Sequence, residues 1–273
     1  MEKQIEIEDF DKQWEELGIS NDFLFMKVMQ NQELCKELLH RILPDLDIDH
    51  IEYPELQKEI KEDMEAKSIR LDVYVKGSKD IIYNIEMQAA DTKELPKRSR
   101  YYQAMIDLQL LDKGDKSYNE LNKTYIIFIC LFDLFGQGRH IYTFENLCKE
   151  DTSLAMGDEA TKIFLNAKGN INDVGNELKV FLDYVSGKKS NDTFVDKLEE
   201  AVQKAKKNRE WRHDYMTLMM RERINYEKGE KHDEERLFKL IRRLNEDNRL
   251  SDIVMAIEDK EYRKKLYKEY DII

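Results

Sequence analysis

Proline and glycine are scarce, with 3 and 10 residues in 273, which excludes collagen-like and linker-rich chains. The three cysteines, Cys35, Cys130 and Cys148, are odd in number and scattered, so neither a disulfide framework nor a thiolate zinc site is expected; a reducing cytoplasm fits best. No window approaches a membrane-spanning run of uncharged apolar residues. The longest apolar stretch, from Tyr125 to Leu134, carries Asp133 and is about half the length of a spanning helix, so it reads as a buried strand. The first residues alternate charges with aliphatics and lack an apolar export segment, so export is not expected. A Gly-x-Ser-x-Gly elbow and a glycine-rich phosphate loop are also missing, which removes hydrolase and kinase chemistry of those types. The five histidines, His40, His50, His140, His213 and His232, never pair at metal-binding spacing.

What is present is enough for a core under a heavily charged surface: 41% hydrophobic, 10% aromatic and 37% charged residues, with a formal net charge of -12. Such a chain forms one large domain or two smaller ones. The acidic balance argues against a protein that simply coats polyanions, although a local basic groove on an acidic molecule still binds nucleic acid.

Ser20-Asn21-Asp22 offers cap residues before an apolar series from Phe23 to Ile42, which predicts a pair of amphipathic helices ended by Pro44. Asp45, Asp47 and Asp49 alternate as in a calcium loop, but His50 and Leu56 replace the glycine and glutamate such a loop requires. A further strand is placed near Ile51 to Gln57. Strict alternation over Ile69 to Val75 predicts a strand with Asp72 and Tyr74 on one face, and Ile81 to Ala89 predicts its hairpin partner, with Glu86 and Gln88 sharing a face. A helix from Leu95 to Asp112 follows, with Pro96 in its first turn and Gly114 past its end. Strands at Thr124 to Leu131 and His140 to Phe144 come next, and the order α, β, β, α, β, β implies a mixed sheet flanked by helices. The pattern becomes helical from about Gly157, is interrupted at Gly229, and closes with short helices, one capped at Ser251-Asp252. The expected organisation is an extension over 1–19, a core over 20–150 and a helical region over 151–273.

The feature that carries chemistry is Asp72 on one strand and Glu86-Met87-Gln88 on the next. Carboxylates on neighbouring strands converge on one cation, and Mg²⁺ binds through one or two carboxylates while keeping several waters. Such an ion acidifies bound water and neutralises charge developing on phosphorus, the two main needs of phosphodiester hydrolysis. The plainer alternative is a pair of exposed charges on a hairpin face, balanced by Arg70 or lysines.

Several segments, taken in order, resemble the PD-(D/E)XK nuclease superfamily, and within it the recombination-promoting nucleases of bacteria also labelled PD-(D/E)XK nuclease family transposases. They are Asn21 to Met29, Arg70-Leu71-Asp72-Val73, Ile85-Glu86-Met87-Gln88, Arg98-Ser99-Arg100-Tyr101-Tyr102, and the run through Leu111, Gly114, Tyr118 and Leu121. The resemblance covers roughly Ser20 to Leu147. It implies an α/β restriction-endonuclease-like core and a metal-dependent DNA endonuclease, with Mg²⁺ as cofactor and Mn²⁺ as a substitute. On it, Asp72 and Glu86 are catalytic metal ligands, the Met87 carbonyl is a third ligand, and catalytic Gln88 stands where the superfamily has lysine. Leu71 replaces the proline of the superfamily name. A neutral amide at 88 can orient water or phosphate but supplies no charge.

Arg98, Arg100 and Tyr102, at the start of the following helix, are candidates for DNA phosphate contacts; ordinary surface arginines and a packing tyrosine are the alternative. Asp22 is read as a helix cap and left outside the catalytic set. DNA is the expected partner, and two cuts across a duplex need two sites, so a homodimer is expected on symmetry grounds. The stretch from 235 has room for a small helix-turn-helix, but its balanced charges favour dimerisation or packing. A module that binds DNA or protein through a silent site is the competing reading, motivated by Gln88 and the acidic net charge.

Overall fold

Phe23-Leu24-Phe25-Met26-Lys27-Val28 leaves no polar stripe, and this run forms helix α1 (Asp22–Val28), buried from Phe23 onward. The expected amphipathic pattern belongs only to its successor, α2 (Gln32–Ile42), which buries Leu34, Cys35, Leu38, Leu39 and Ile42. Asn21 and Asn31 cap the two helices, each side chain accepting from backbone N–H groups of the first turn. The computed structural model describes residues 10–53, 59–60, 69–70, 72–111, 117–247 and 249–272. The first nine residues, most of the stretch expected to be a strand near Gln57, and Leu71 and Gly114 lie outside the described residues.

Besides a helical stretch over 10–16 and two single 3-10 turns, the further elements are β1 (Ile51–Glu52), β2 (Glu59–Ile60), β3 (Ile69–Arg70), β4 (Val73–Gly77), β5 (Ile82–Gln88), α3 (Leu95–Leu110), β6 (Thr124–Cys130), β7 (Ile141–Phe144), β8 (Ala160–Asn166), α4 (Asn176–Val185), α5 (Thr193–Lys206), α6 (Arg209–Glu246), α7 (Leu250–Glu258) and α8 (Lys260–Glu269). Six strands form one mixed sheet in the order β1-β4-β5-β6-β8-β7. β5, β6 and β8 run parallel, while β4 and β7 are antiparallel to their neighbours. The fold is α/β and restriction-endonuclease-like, as expected. The strand predicted over Ile69 to Val75 divides, since Ile69–Arg70 pairs with Glu59–Ile60 in a separate two-stranded sheet.

The reading that helix begins at about Gly157 is corrected by β8, whose sequence Ala160-Thr161-Lys162-Ile163-Phe164-Leu165-Asn166 pairs on both sides within the sheet. Strand structure therefore runs past residue 150. Isoleucine and phenylalanine favour a pleated, two-sided packing that a helix does not provide. Both faces of the central strands are covered, and β6 is buried at every position, so from Tyr125 onward its sequence is an unbroken apolar run without alternation. On one face α3 lays Leu95, Tyr102, Met105 and Ile106 over Ile82, Ile126, Phe128 and Phe164. Phe128 and Phe164 stack with ring centroids 5.4 Å apart.

The chain divides into two compact units, one ending at Arg209 and one beginning at Glu210. The second holds nearly all of α6 with α7 and α8, around Leu240, Leu244, Ala256, Leu266 and Tyr267. Gly229 does not interrupt α6, which is continuous over 38 residues; an interior glycine costs about 1 kcal/mol, which a long helix absorbs. Ser251-Asp252 is no cap either. Asp252 lies inside α7 and accepts from Arg249 and from the Tyr262 hydroxyl at 2.9 Å, tying α7 to α8. Asp259 alone joins these two helices and caps α8, a shorter connection than the turn of about 3–4 residues in a helix-turn-helix. Among the described residues no helix is long and apolar enough to cross a membrane.

Candidate active site

Antiparallel register brings the two acids together. Val73 pairs with Ile85, so Asp72, one residue before β4, stands opposite Glu86 on β5. The ladder ends there and the side chains take over its hydrogen bonds. The Asp72 N–H donates to Glu86 Oε1 at 3.2 Å, and the Met87 N–H donates to Asp72 Oδ2 at 3.3 Å. Each carboxylate thus accepts a backbone donor of the other strand. Asn84, two positions earlier on the same face of β5, donates its Nδ2 to Glu86 Oε1 at 3.2 Å and is fully buried.

Gln88 closes the strand. Its Nε2 donates to the Met87 carbonyl at 2.8 Å, and its own carbonyl accepts from Leu131. The site therefore sits at the carboxyl end of a parallel strand, where open α/β sheets place their ligand crevices. A cleft of about 290 Å³ opens here, with Asp22, Asp72, Met87, Gln88 and Arg98 among its lining residues.

Helix α3 supplies Arg98. Its Nη2 donates to Glu86 Oε2 at 3.0 Å, its Nη1 to Gln88 Oε1 at 3.0 Å, and its Nε to the Tyr102 hydroxyl at 2.7 Å. The guanidinium also lies 5.0 Å from the Tyr102 ring centroid and 5.9 Å from that of Phe128. Of the three residues expected to reach DNA, Arg100 is exposed, Arg98 is half-buried in the cleft, and Tyr102 is buried in the core beneath it. Tyr102 supports Arg98 from within α3, one turn along the helix.

Burial dominates the electrostatics of the pair. Asp72 is pushed well above the usual carboxylate range by desolvation, then by the charges of Glu86 and Asp22, against the opposing Met87 N–H bond and Arg98. Glu86 is raised from 4.5 to about 7 by burial, despite Arg98, the Asp72 N–H and Asn84. Paired acids held close and desolvated by burial favour a divalent cation, which relieves both costs at once.

Asp22 joins this site, contrary to its assignment as a cap. Asn21 makes the cap, while Asp22 Oδ1 accepts from the adjacent Phe23 N–H and the residue lines the cleft. Three consecutive residues of cap type, Ser20, Asn21 and Asp22, hide which one caps, so the local sequence carries no signal that separates them. The network of Arg98 joins residues 10 and 12 positions apart on different elements, which no spacing rule predicts.

Asp72 and Glu86 would hold a metal, with the Met87 carbonyl adjacent. Among the described residues Asp72 Oδ1 accepts no hydrogen bond, and the donor set is all oxygen, as a hard dication prefers. No group of three or more His, Cys, Asp or Glu side chains among the described residues is arranged to hold a metal, so water or substrate oxygens would complete a coordination shell. Comparison with curated proteins and with solved structures returns no match. A family model described as PD-(D/E)XK nuclease family transposase matches residues 19–240. That match spans most of the chain, and the chain belongs to this family.

Proposed function

We propose that the protein is a metal-dependent DNA endonuclease, with Mg²⁺ as the natural ion and Mn²⁺ as a substitute. PD-(D/E)XK proteins are usually nucleases and generally use divalent metal ions. The observation that carries the reading is the reciprocal clasp of Asp72, half-buried and lining the cleft, and Glu86, fully buried opposite it. A bound divalent cation supplies Lewis acidity and charge neutralisation.

The chain's own groups do the rest. Asp72 and Glu86 fix the ion's position, and their hydrogen bonds to backbone and Asn84 hold both carboxylates in place before substrate arrives. Gln88, bonded through Nε2 to the Met87 carbonyl and through Oε1 to Arg98, keeps one N–H and one lone pair with which to orient water or a phosphate oxygen. Water adds to phosphorus, one ester P–O bond breaks, and the departing oxygen takes up a proton. Exposed Arg100, on the outer side of α3, holds the DNA backbone beside the cleft. A homodimer would present one such site to each strand.

The test is incubation of a labelled duplex and its single strand with Mg²⁺, Mn²⁺ or EDTA, with the product ends identified. Metal-dependent internal cuts are expected. The neutral amide of Gln88 favours a second reading, a module that binds DNA without cutting it. Salt-sensitive binding with no product in either metal supports that reading and overturns the first.

A further inference from the structure

We propose that Arg98 is a catalytic residue: it delivers from helix α3 the positive charge that the family signature places on its final lysine and that Gln88 lacks. The inference rests on the nuclease reading above and assigns a role to a residue that the signature does not contain.

Three observations carry it. The first is position. Arg98 lines the same cleft as Asp72 and Gln88, and its Nη1 and Nη2 each lie 3.0 Å from a side chain of the motif strand, Gln88 and Glu86. The charge thus stands where a lysine side chain at the end of β5 would bring it. The second is preorganisation. Three hydrogen bonds and the rings of Tyr102 and Phe128 hold the guanidinium, while the side chain keeps 32% of its exposure. A fork fixed on one side and open on the other suits the non-bridging oxygens of a phosphodiester. The third is complementarity. Gln88 directs its acceptor oxygen at Arg98 and its donor nitrogen at the Met87 carbonyl. A lysine there would oppose a second cation about 3 Å away, a repulsion the amide converts into a hydrogen bond. Glutamine at this position is the partner of a displaced cation.

Glu86 remains able to serve a metal at the same time. An ionised carboxylate offers about four lone-pair directions, and the structure fills two of them at Oε1 and one at Oε2. Arg98 and a metal can then share the glutamate, with the guanidinium set beside the reacting phosphate to stabilise charge developing on its oxygens.

The experiment compares the wild type with Arg98→Met, Arg98→Lys, Gln88→Lys and the double variant Gln88→Lys/Arg98→Met. Single-turnover cleavage is measured in Mg²⁺, DNA affinity in EDTA, and thermal unfolding serves as a check on folding. Arg98→Met is expected to slow cleavage by about 10²–10³-fold with DNA affinity changed by less than about threefold, the Coulombic contribution of one half-buried charge among many contacts. Gln88→Lys alone slows the wild type, whereas in the Arg98→Met background the same change restores at least about tenfold of the lost rate, a coupling of opposite sign that a merely structural arginine would not produce. Arg98→Lys retains intermediate activity. Should Arg98→Met fail to fold, the folded Gln88→Lys single variant and the double variant still decide the point. A folded Arg98→Met that cleaves within about threefold of wild type, a loss of rate matched by an equal loss of DNA affinity, or absence of rescue in the double variant overturns the role of Arg98 while leaving the nuclease reading intact. A wild type that cuts nothing overturns the nuclease reading and this inference with it.

Discussion

Burial raises both Asp72 and Glu86, the charge of Glu86 adds to the cost at Asp72, and Asp22 adds to the cost at each. A carboxyl group whose folded pKa exceeds its unfolded value binds protons more tightly when folded, so stability falls as pH rises between the two. For Glu86 that window runs from 4.5 to about 7. The metal-free protein should therefore lose stability between pH 5 and pH 8 in EDTA, by about 1–3 kcal/mol in urea unfolding, and saturating Mg²⁺ should restore it at pH 8. A flat profile in EDTA would show that the pair is not strained. For the same reason Asp72→Asn, which keeps an acceptor for the Met87 N–H, should raise the unfolding midpoint at pH 8 in EDTA and change it little at pH 5; a lower midpoint at pH 8 would contradict the electrostatic account. At this scale the sequence announces Asp72, Glu86 and Gln88 through two-residue alternation, because strand faces follow spacing. It does not announce Asp22 or the network of Arg98. Asp22 follows another cap-type residue, and Arg98 reaches the site only because α3 crosses back over the sheet.

Among the elements, β4, β5 and α3 carry clear local signals, β-branched and aromatic residues in the strands and a proline in the helix's first turn. β8 does not. Lys162 and Asn166 bracket a short apolar run, Ile163-Phe164-Leu165, that shows no alternation, yet the strand pairs with β6 over seven positions and with β7 on its other side. Pairing with two neighbours is a tertiary property, and it overrides the weak local pattern. Phe164 is the anchor, stacked on Phe128 at 5.4 Å and met edge-on by Phe135 at 5.4 Å. Phe164→Ala should cost about 3–5 kcal/mol of stability. Because Phe128 also underlies Arg98, the variant should reduce activity more than its folded fraction accounts for. A loss under about 1 kcal/mol in denaturant titration would place β8 outside the core that supports the site.

For the whole molecule, two units with separate cores predict separate cooperativity. Leu244, fully buried in the second unit, should on change to alanine lose about 2–5 kcal/mol. Calorimetry should show one unfolding transition lowered and the other unmoved; a single transition shifted as a whole would mean the units unfold together. The central claim concerns the first unit alone, that the clasp of Asp72 and Glu86 is a catalytic metal site. Its most direct test is conversion of supercoiled plasmid by wild type, Asp72→Ala and Glu86→Ala, purified identically and assayed in Mg²⁺, Mn²⁺ and EDTA. Nicking or linearisation that requires metal and falls by at least about 10²-fold in both variants is the predicted result. Cleavage that persists in folded Asp72→Ala at the wild-type rate, or that survives EDTA, would contradict it.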